Sequence, residues 1–233
     1  MSEDPSSAEV IVRAVPPPPV ALGNALCVLK PLTCAHLPAL WQAFRGHDAL
    51  WDYMFTGPFP DEAAFRTWAE SRCGLADPLF YAIRAPEGDW SGLASFMRID
   101  VANGVIEVGS LTFSPALQGT SAATGAMFAM MEQAFRLGYR RYEWKCHSDN
   151  LPSRRAAERL GFSYEGIFRH HMVVKGRNRD TVWYAITDED WPALKEAYEL
   201  WCRPETFDDE GRQKHRLSDL TAPLLKSRDP GLR

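Results

Sequence analysis

A run of small residues, "QGTSAATG", stands between a predicted turn at Pro115 and a predicted helix with an apolar run from Met127 to Met131. The first N–H groups of a helix have no intrahelical partner, and the helix dipole adds partial positive charge there. With little bulk at Gly119 and Ser121, a pyrophosphate could bind these donors. The alternative is a tight turn whose small residues pack the helix against a sheet, because short glycine motifs are weak signals.

A second polar segment, "SDNLPSRRAAERLGF", begins another predicted helix just after a strand. Asn150 and Ser153 lie at its start, where a polar side chain can either contact a substrate or simply cap the helix. Pro152 suits the first turn because its missing N–H costs nothing there. The arginines that follow are typical of a solvated helix face: Arg154, Arg155 and Arg159.

The elements that must position these segments follow from hydrophobic periodicity. Strand-like and helix-like runs extend from "ALCVLKPL" to "DEDWPALKEAYELWC" in the order β-α-α-β-β-β-α-β-α-β-β-α. Asp61 and Asp188 are the predicted N-caps of two helices, and Asn103-Gly104 predicts a hairpin. We therefore expect an α+β fold in which helices flank a mixed, mostly antiparallel central sheet.

The chain is predicted to hold one folded domain with two tails. Residues 1–23 are mostly polar or small and include "PPPP", which is typical of a flexible arm outside the fold. Residues 24–203 show no internal repeat and no linker long enough to divide them. Residues 204–233 form a charged tail whose few leucines could make a loose amphipathic turn that docks on the body or on a partner subunit.

Composition narrows the classes of function. Hydrophobic residues make up 45% and aromatic residues 12%, which is ordinary for a folded, soluble protein. A net charge of −4 gives no general reason to expect nucleic acid or a membrane as partner. No apolar run approaches the roughly 18 residues of a membrane span. The five cysteines are scattered and form no CxxC pair, which predicts reduced thiols in the cytoplasm and no metal site.

Taken together, the two polar segments resemble the GNAT superfamily of acyl-CoA-dependent N-acetyltransferases. The family's pyrophosphate loop, Q/R-x-x-G-x-G/A, is matched by Gln118 to Ala123, with Ser121 at the usual first glycine. The pattern N-x-x-S-x-x-x-x-x-x-x-G-F is matched by Asn150, Ser153 and the "GF" at 161–162. This stretch is most similar to the RimJ/RimL branch, which acetylates protein N-termini and, in relatives, other small amines. The resemblance covers residues 24–195.

The resemblance implies transfer of an acetyl group from acetyl-CoA to a primary amine, by direct attack in a ternary complex and without a metal. Backbone amides would bind the coenzyme pyrophosphate, Asn150 would contact the pantetheine arm, and Ser153 would protonate or stabilise the departing thiolate. A strand ending near Phe113 would run beside the pantetheine, splay from its parallel neighbour and polarise the thioester carbonyl. The implied coenzyme-binding residues are Leu111, Thr112, Phe113, Gln118, Gly119, Thr120, Ser121, Ala122, Ala123 and Asn150.

The reaction also needs a proton acceptor, because an alkyl amine with a pKa of about 10 is almost wholly protonated at pH 7. Glu107 is the candidate, since many family members carry an acidic residue here, facing the acceptor; the alternative is a solvated or salt-bridged strand residue. Glu143, His147, His170 and His171 compete for the role, and His147 follows a strand end beside the expected coenzyme slot.

Aromatic residues of the first two helices and their connection form the remaining candidate group. In related proteins these elements make one wall of the acceptor site. Rings at helical spacing are more often core, but "WDYMFTGPF" is loop-like and its rings could enclose an amine or a peptide end. The residues concerned are Trp41, Trp51, Tyr53, Phe55 and Phe59.

Two positions depart from the family pattern. Ser121 replaces a loop glycine, and Gly125 stands where relatives usually carry glutamate, at a cost of about 1 kcal/mol of helix stability relative to Ala. They motivate the alternative of a non-catalytic acyl-CoA-binding module. A longer acyl-CoA such as succinyl-CoA is a further alternative, which Arg154 would favour if it faced the acyl group. A homodimer, common among relatives, is expected by resemblance.

Overall fold

The computed structural model describes residues 12–210 and 212–232. The strands are β1 (Leu22–Asn24), β2 (Cys27–Pro31), β3 (Leu79–Arg84), β4 (Gly92–Asp100), β5 (Val105–Phe113), β6 (Arg141–His147), β7 (Ser163–Val174) and β8 (Arg177–Thr187). The α-helices are α1 (Leu37–Phe44), α2 (Glu62–Glu70), α3 (Ser121–Arg136), α4 (Leu151–Arg159), α5 (Trp191–Trp201) and α6 (Leu217–Thr221).

The described residues form one sheet of eight strands in the order β1-β2-β3-β4-β5-β6-β8-β7. Among these strands β5 and β6 are parallel neighbours, whereas the other neighbouring pairs are antiparallel. A parallel pair needs a crossover connection, and α3 supplies it between β5 and β6. The predicted α+β fold with a mixed, mostly antiparallel sheet is confirmed.

Helices pack on both faces of the sheet because side chains alternate along each strand. In β3, Tyr81 and Ile83 belong to the core shared with α3 and α5, whereas Phe80 and Ala82 belong to the core shared with α1 and α2. α3 is buried along most of its length and forms the centre of the first core. In the described part of the chain, every helix is too short or too polar to span a bilayer.

The N-terminal segment differs from the expected arm wherever the structure describes it. Residues 1–11 of the predicted arm lie outside the described residues. Ala14 is buried in the main core, and the Val15 N–H donates to the Leu137 carbonyl at 3.0 Å. β1 begins within the predicted arm and pairs with β2. The prediction of an arm outside the fold is therefore wrong for residues 12–23, because their apolar side chains and backbone contact the body.

The C-terminal segment docks on the body, which was one of the two placements expected for it. Leu217 of α6 is buried in the main core, and Thr221 donates its hydroxyl hydrogen to the Arg159 carbonyl at 2.9 Å. Near the end of the chain the Asp229 carboxylate is buried against α4 and β8. The charged residues of this segment therefore accompany a buried apolar and ionic contact surface.

Local signals gave mixed results. Asp61 caps α2 as predicted, by accepting a backbone N–H at 2.8 Å. The prediction of Asp188 as the cap of α5 is wrong, because Asp190 precedes that helix and its carboxylate accepts the Thr187 N–H and hydroxyl at 3.1 and 2.8 Å. The hairpin predicted between β4 and β5 is confirmed, with Gly104 at φ +64°.

Candidate active site

β5 and β6 diverge near the centre of the sheet. Their parallel pairing ends at Val108 and Trp144. β6 continues in register with β8 as far as His147. Beyond Val108 none of the described strands pairs with β5 on its β6 side, so a wedge-shaped opening lies between the two strands. We call this opening the slot; it lies where the sequence analysis expected the two strands to splay.

A β-bulge shapes the β5 side of the slot. Thr112 pairs with Leu93 and Gly109 pairs with Ser95, so β5 has one more residue than β4 between these two pairs. Ser110, within the bulge, adopts φ +53°. A bulge leaves a backbone group out of the ladder and changes its direction. A backbone N–H beside Ser110 is therefore available to polarise a carbonyl group in the slot.

The slot contains a cavity of about 110 Å³ lined by the bulge and by side chains of several elements. An outer cleft of about 740 Å³ adjoins it and shares Tyr53, His147 and Arg179 with its lining. The polar residues that line the inner cavity are Glu107, Lys145, His147, Asn150, Ser153 and Arg179. Residues predicted from two separate segments thus lie around one cavity.

Residues 118–123, the amide loop, form the start of α3. The Thr120 hydroxyl accepts the Ala123 N–H at 3.2 Å and so caps the helix. Gly119 adopts φ +71°, a left-handed conformation that favours glycine. Gln118 donates its side-chain amide to the Phe113 carbonyl at 2.8 Å, which ties the loop to the end of β5.

The amide loop offers fewer free donors than the sequence analysis expected. The amides that already donate within the protein are those of Gln118, Thr120 and Ala123. The loop amides without a protein acceptor among the described residues are those of Gly119, Ser121 and Ala122. The prediction of a continuous row of donors from Gln118 to Ala123 therefore narrows to these three groups, which is still enough to hold an anion.

A basic cleft of about 580 Å³ opens beside the amide loop. Arg159 of α4 donates to the Thr124 hydroxyl at 3.3 Å, and Arg212 and Arg216 of the C-terminal segment line the same cleft. Another cleft of about 970 Å³ also borders the loop, but its described lining residues include no lysine or arginine. The distribution of charge favours the Arg159 side for phosphate groups.

Asn150 and Ser153 lie where α4 meets the slot. The Asn150 Oδ1 accepts the Ser153 N–H at 3.1 Å, so Asn150 is the N-cap of α4 and its Nδ2 remains a donor toward the slot. The Ser153 Oγ accepts the Trp144 Nε1–H at 3.1 Å. Because the indole is the donor in this bond, the hydroxyl hydrogen of Ser153 is free to be donated elsewhere.

An ion-pair chain of alternating charge crosses the far end of the slot. Its members, in order, are Arg98, Glu107, Lys145, Glu143, Arg141 and Glu165. The Arg98 Nη1 lies 2.7 Å from both Glu107 oxygens, and the Lys145 Nζ lies 2.9 Å from Glu107. The Lys145 Nζ also lies 2.7 Å from Glu143. Glu107 and Glu143 are register partners on β5 and β6, so the cation between them offsets the repulsion of two adjacent carboxylates.

The ion-pair chain limits both carboxylates as proton acceptors. Burial raises the pKa of Glu143, but hydrogen bonds from Lys145 and Arg141 more than offset this and hold its pKa below the usual range. Glu107 is 3% exposed, and both its oxygens already accept hydrogen bonds from cations. An amine would have to displace one of these cations before passing a proton to Glu107. The salt-bridged alternative raised for this residue is thus what the contacts resemble.

Other candidate groups are disfavoured as bases or nucleophiles by their own contacts. His147 lies beside the slot, and its Nδ1 accepts the Asp149 N–H at 3.0 Å. The neutral ring then carries its proton on Nε2, which leaves no free acceptor nitrogen. Burial raises the pKa of the Cys146 thiol to about 11, so this thiol is protonated near neutral pH. His170 and His171 are exposed and do not line the cavity.

The aromatic residues divide between core and slot. Tyr53 packs against His147 with ring centroids 5.4 Å apart, and Phe55 lies 4.8 Å from the Arg179 guanidinium carbon. Both rings line the cavity, as the loop-like sequence suggested. The rings that belong to the core under α1 and α2 are Trp41, Trp51 and Phe59. The acceptor wall predicted from five aromatic residues is therefore built from two of them.

Arg154 does not face the slot. Its Nε and Nη2 lie 2.7 and 2.6 Å from the Asp229 carboxylate, and its Nη1 donates to the Ser148 carbonyl at 2.7 Å. Arg154 and Asp229 are both buried. The expectation of a solvated helix face is therefore wrong for Arg154, and its suggested role beside a longer acyl group has no support in this geometry.

Gly125 is explained by packing rather than by the coenzyme. The Asn24 Nδ2 donates to the Gly125 carbonyl at 2.9 Å. A Cβ at Gly125 would lie 2.9 Å from the Leu26 Cβ and 3.0 Å from the Asn24 Oδ1. The β1–β2 turn thus packs directly on α3, and the glutamate of relatives would not fit here without moving that turn.

Comparison with known proteins agrees with this arrangement. The acetyltransferase (GNAT) domain family matches residues 27–163, which is more than half of the chain. The chain belongs to the GNAT acetyltransferase family. Members of this family use acetyl-CoA as co-substrate, and the free amides and basic cleft of this chain suit its phosphates.

Solved GNAT structures align with nearly the whole chain. A GCN5-related N-acetyltransferase from Brucella melitensis is 43% identical, with a TM-score of 0.88 over 91% of this chain and 98% of that one. A GNAT-family acetyltransferase from Chromobacterium violaceum is 39% identical, with a TM-score of 0.77 over 83% of this chain and 100% of that one. An acetyltransferase from Salmonella typhimurium that modifies the N-terminal serine of ribosomal protein L7/L12 shares the fold, at 23% identity and a TM-score of 0.63 over 71% of this chain and 98% of that one.

Two curated GNAT relatives come from Bacillus subtilis. YnaD, an uncharacterised N-acetyltransferase, is 30% identical over 80 residues, which are 34% of this chain and 47% of YnaD. YdaF, named as a ribosomal N-acetyltransferase, is 28% identical over 110 residues, which are 47% of this chain and 60% of YdaF. The chain therefore spans about half the length of these curated relatives. The match to a protein named in this way is consistent with the predicted RimJ/RimL-like branch.

Three cations of the slot were not foreseen from the sequence. Arg98, Lys145 and Arg179 come from β4, β6 and β8 and converge only because those strands lie near one another in the sheet. Lys145 was visible as the residue two positions after Glu143, on the same face of β6. Arg98 and Arg179 gave no comparable signal.

Proposed function

We propose that this GNAT acetyltransferase transfers the acetyl group of acetyl-CoA to the α-amino group of a peptide or protein N-terminus, by direct attack in the slot. The observation that carries the proposal is the end of β5–β6 pairing at Val108 and Trp144, next to a loop with free backbone donors. An extended ligand can pair with an open strand edge, and amides at a helix start can bind phosphate.

The coenzyme would be held mainly by backbone groups. The amides of Gly119, Ser121 and Ala122 would donate to its pyrophosphate, and Arg159 would add positive charge. The pantetheine arm would lie along Leu111, Thr112 and Phe113, with the Asn150 side chain as a further donor. Gln118, Thr120 and Ala123 would contribute by fixing the shape of the amide loop, since their own amides are already bonded.

The transfer forms a bond between the amine nitrogen and the acetyl carbonyl carbon, while the carbon–sulfur bond breaks and the amine loses a proton. A backbone N–H at the Ser110 bulge would stabilise the charge that develops on the carbonyl oxygen. Ser153 would donate its hydroxyl hydrogen to the departing thiolate. Glu107 remains the predicted acceptor of the amine proton, directly or through water, once a cation has yielded one of its oxygens.

The occupied carboxylates support an α-amine as the acceptor. An α-amino group has a reference pKa of about 7.7–8.0, whereas a lysine side chain has about 10.4. A substantial share of α-amines is thus already neutral near pH 8, and a weak base suffices. The names of YdaF and of the Salmonella typhimurium structure point to ribosomal protein N-termini as acceptors in those proteins. A small-molecule amine of similarly low pKa is the alternative acceptor.

We further propose that residues 24–203 form the transferase domain and that the flanking segments brace it. Ala14 and Leu217 are buried in the same core as α3. A cytoplasmic location and a homodimer stay predictions. Light scattering on the purified protein would test the dimer, and a monomer at working concentration would contradict it.

Release of free CoA thiol tests the proposed function. The substrates are acetyl-CoA with three acceptors: a peptide with a free N-terminus, the same peptide blocked at its N-terminus but carrying a lysine, and a small alkyl amine. We expect thiol release with the free N-terminus and much less with the other two. Acetylation of the lysine peptide at an equal rate would contradict the α-amine assignment, and no release with any acceptor would contradict the transferase.

The alternative of a non-catalytic module loses its original motives. Gly125 is explained by the β1–β2 turn, and Ser121 keeps its backbone donor free. Ser153 retains a free hydroxyl hydrogen beside the slot. No feature of the described residues therefore favours loss of catalysis over transfer.

A further inference from the structure

Arg179 is a buried cation on β8 that lines the slot. It is 7% exposed and is named in the lining of both the inner cavity and the outer cleft. Its Nε donates to the Thr181 hydroxyl at 3.3 Å, and its guanidinium carbon lies 4.8 Å from the centre of the Phe55 ring. These contacts fix the plane of the guanidinium and leave its terminal nitrogens for another partner.

No carboxylate of the described residues lies within 4.0 Å of Arg179. The ion-pair chain at the same cavity is balanced in itself, because each of its three cations contacts carboxylates of its three acids. Arg179 therefore adds an uncompensated positive charge to the slot. A buried charge without a partner is costly, since it has lost its water and gained no counter-charge.

Comparison with Arg154 shows what a satisfied buried arginine looks like in this molecule. Arg154 has a two-pronged contact with Asp229, at 2.7 and 2.6 Å, and gives its remaining nitrogen to a carbonyl. Arg179 has one long hydrogen bond to a neutral hydroxyl. Arg154 is satisfied within the protein, whereas Arg179 has its free nitrogens at a cavity that a substrate would enter.

We propose that Arg179 binds a carboxylate group of the substrate. The planar guanidinium matches a carboxylate through two parallel N–H···O bonds. The inference deepens the proposed function, on which it rests, by naming an anionic group that the slot accepts. The carboxylate has two sources: the far end of a dicarboxylic acyl group on CoA, such as succinyl, or an acidic side chain next to the acceptor amine.

Binding of succinyl-CoA and acetyl-CoA, which differ by a terminal carboxylate at the end of a longer acyl chain, tests the acyl source. Isothermal titration would compare wild type with Arg179→Gln, Arg179→Lys and the control Arg169→Gln. Arg169 is an exposed arginine of β7, so its replacement removes the same charge outside the slot. If the acyl group is the source, Arg179→Gln weakens succinyl-CoA binding about 10-fold or more and leaves acetyl-CoA within about 3-fold.

The acceptor source is tested with peptide pairs that begin with Asp or Asn and with Glu or Gln, titrated in the presence of CoA and assayed with acetyl-CoA. If the acceptor is the source, Arg179→Gln raises the KM of the acidic peptides about 10-fold or more and leaves their neutral partners within about 3-fold. Arg179→Lys, which keeps the charge but not the planar fork, should fall between wild type and Arg179→Gln.

Selective loss of the carboxylate partner in either arm supports the proposal and identifies the source. Equal effects on charged and neutral partners in both arms, or effects no larger than those of Arg169→Gln, would overturn it. Far-ultraviolet circular dichroism and thermal unfolding establish that each variant is folded, and Arg179→Lys decides the matter if Arg179→Gln is not. Failure of the proposed function shows itself separately, as absence of thiol release from wild type, and leaves the binding comparison valid.

Discussion

The two ends of the slot differ in what recognises the ligand. At the coenzyme end, the amide loop offers backbone N–H groups that belong to consecutive residues, from Gly119 to Ala122. At the acceptor end, the ion-pair chain and Arg179 offer side chains that come from strands far apart in the sequence. One end depends on local backbone conformation, and the other depends on the register of the sheet.

This difference separates the consequences of substitution. A side chain in the amide loop can change with little effect as long as the backbone donors remain. Each cation or carboxylate in the ion-pair chain, by contrast, is the partner of another buried charge, so its loss leaves that partner unpaired. We therefore expect the coenzyme end to tolerate side-chain changes and the acceptor end to be sensitive to them.

The largest effect is expected for Glu107→Gln. This change removes the carboxylate that Arg98 and Lys145 share, so both cations can move within the slot and the amine is no longer oriented. We expect kcat to fall on the order of 100-fold and the free energy of unfolding to fall by about 3 kcal/mol. Initial rates and urea unfolding measure these two quantities.

The control for Glu107→Gln is Glu165→Gln, which removes the most exposed carboxylate of the same ion-pair chain. It should cost less than about 1 kcal/mol of stability. If Glu107→Gln abolishes activity while stability stays at the wild-type value, Glu107 is a base without a structural role, and the ion-pair account is contradicted.

A second effect, on coenzyme affinity, is expected for Ser121→Pro. Ser121 is the first residue of α3, a position that accepts proline, and Thr120 at φ −88° and ψ 161° is compatible with a following proline. The change deletes one free amide and little else, and should raise the acetyl-CoA dissociation constant about 10-fold. Ser121→Ala keeps the amide and should stay within about 3-fold of wild type; equal losses in both variants would show that the hydroxyl, not the backbone, binds the coenzyme.

A smaller, pH-dependent effect is expected for Glu143→Gln. The pKa of Glu143 in the folded protein lies below its usual range, so its contribution to stability is present above about pH 4.3 and is lost as pH falls further. At pH 7 the variant should therefore be less stable than wild type, and the difference should shrink toward pH 3. Urea unfolding at several pH values checks this, and a difference that grows as pH falls would contradict the sign.

The smallest effect is expected for Gly125→Ala. Alanine improves helix propensity by about 1 kcal/mol, but its Cβ would lie 2.9 Å from the Leu26 Cβ. Displacing the β1–β2 turn costs about 1–3 kcal/mol, so we expect a net loss of about 1 kcal/mol with coenzyme affinity nearly unchanged. Thermal unfolding and titration with acetyl-CoA measure the two effects. A gain in stability would show that the turn yields freely.

The coenzyme end could be predicted from sequence because its signals are local. Small residues, a turn and a helix start occur within one stretch, and the Asn150 cap lies three residues before its Ser153 partner. Even there the number of free donors needed the structure, since Thr120 uses its hydroxyl to bond the Ala123 amide. The role of Gly125 depends on Asn24, a residue 101 positions away.

The acceptor end could not be predicted because its partners meet only through sheet register. Glu107 was recognised as an acidic residue on the right strand, but its cations belong to β4 and β6. A one-residue shift of β6 would turn Lys145 to the other face of the sheet. The burial of Arg154 likewise depends on a C-terminal segment whose path no local pattern fixes.

The most direct test of the account is an initial-rate titration of acetyl-CoA, with a free N-terminal peptide as acceptor, for wild type, Ser121→Pro and Glu107→Gln. The account predicts saturable thiol release by wild type, a KM for acetyl-CoA raised about 10-fold in Ser121→Pro at nearly unchanged kcat, and a lowered kcat at nearly unchanged KM in Glu107→Gln. No thiol release by wild type, or the same kinetic constant altered in both variants, would contradict it.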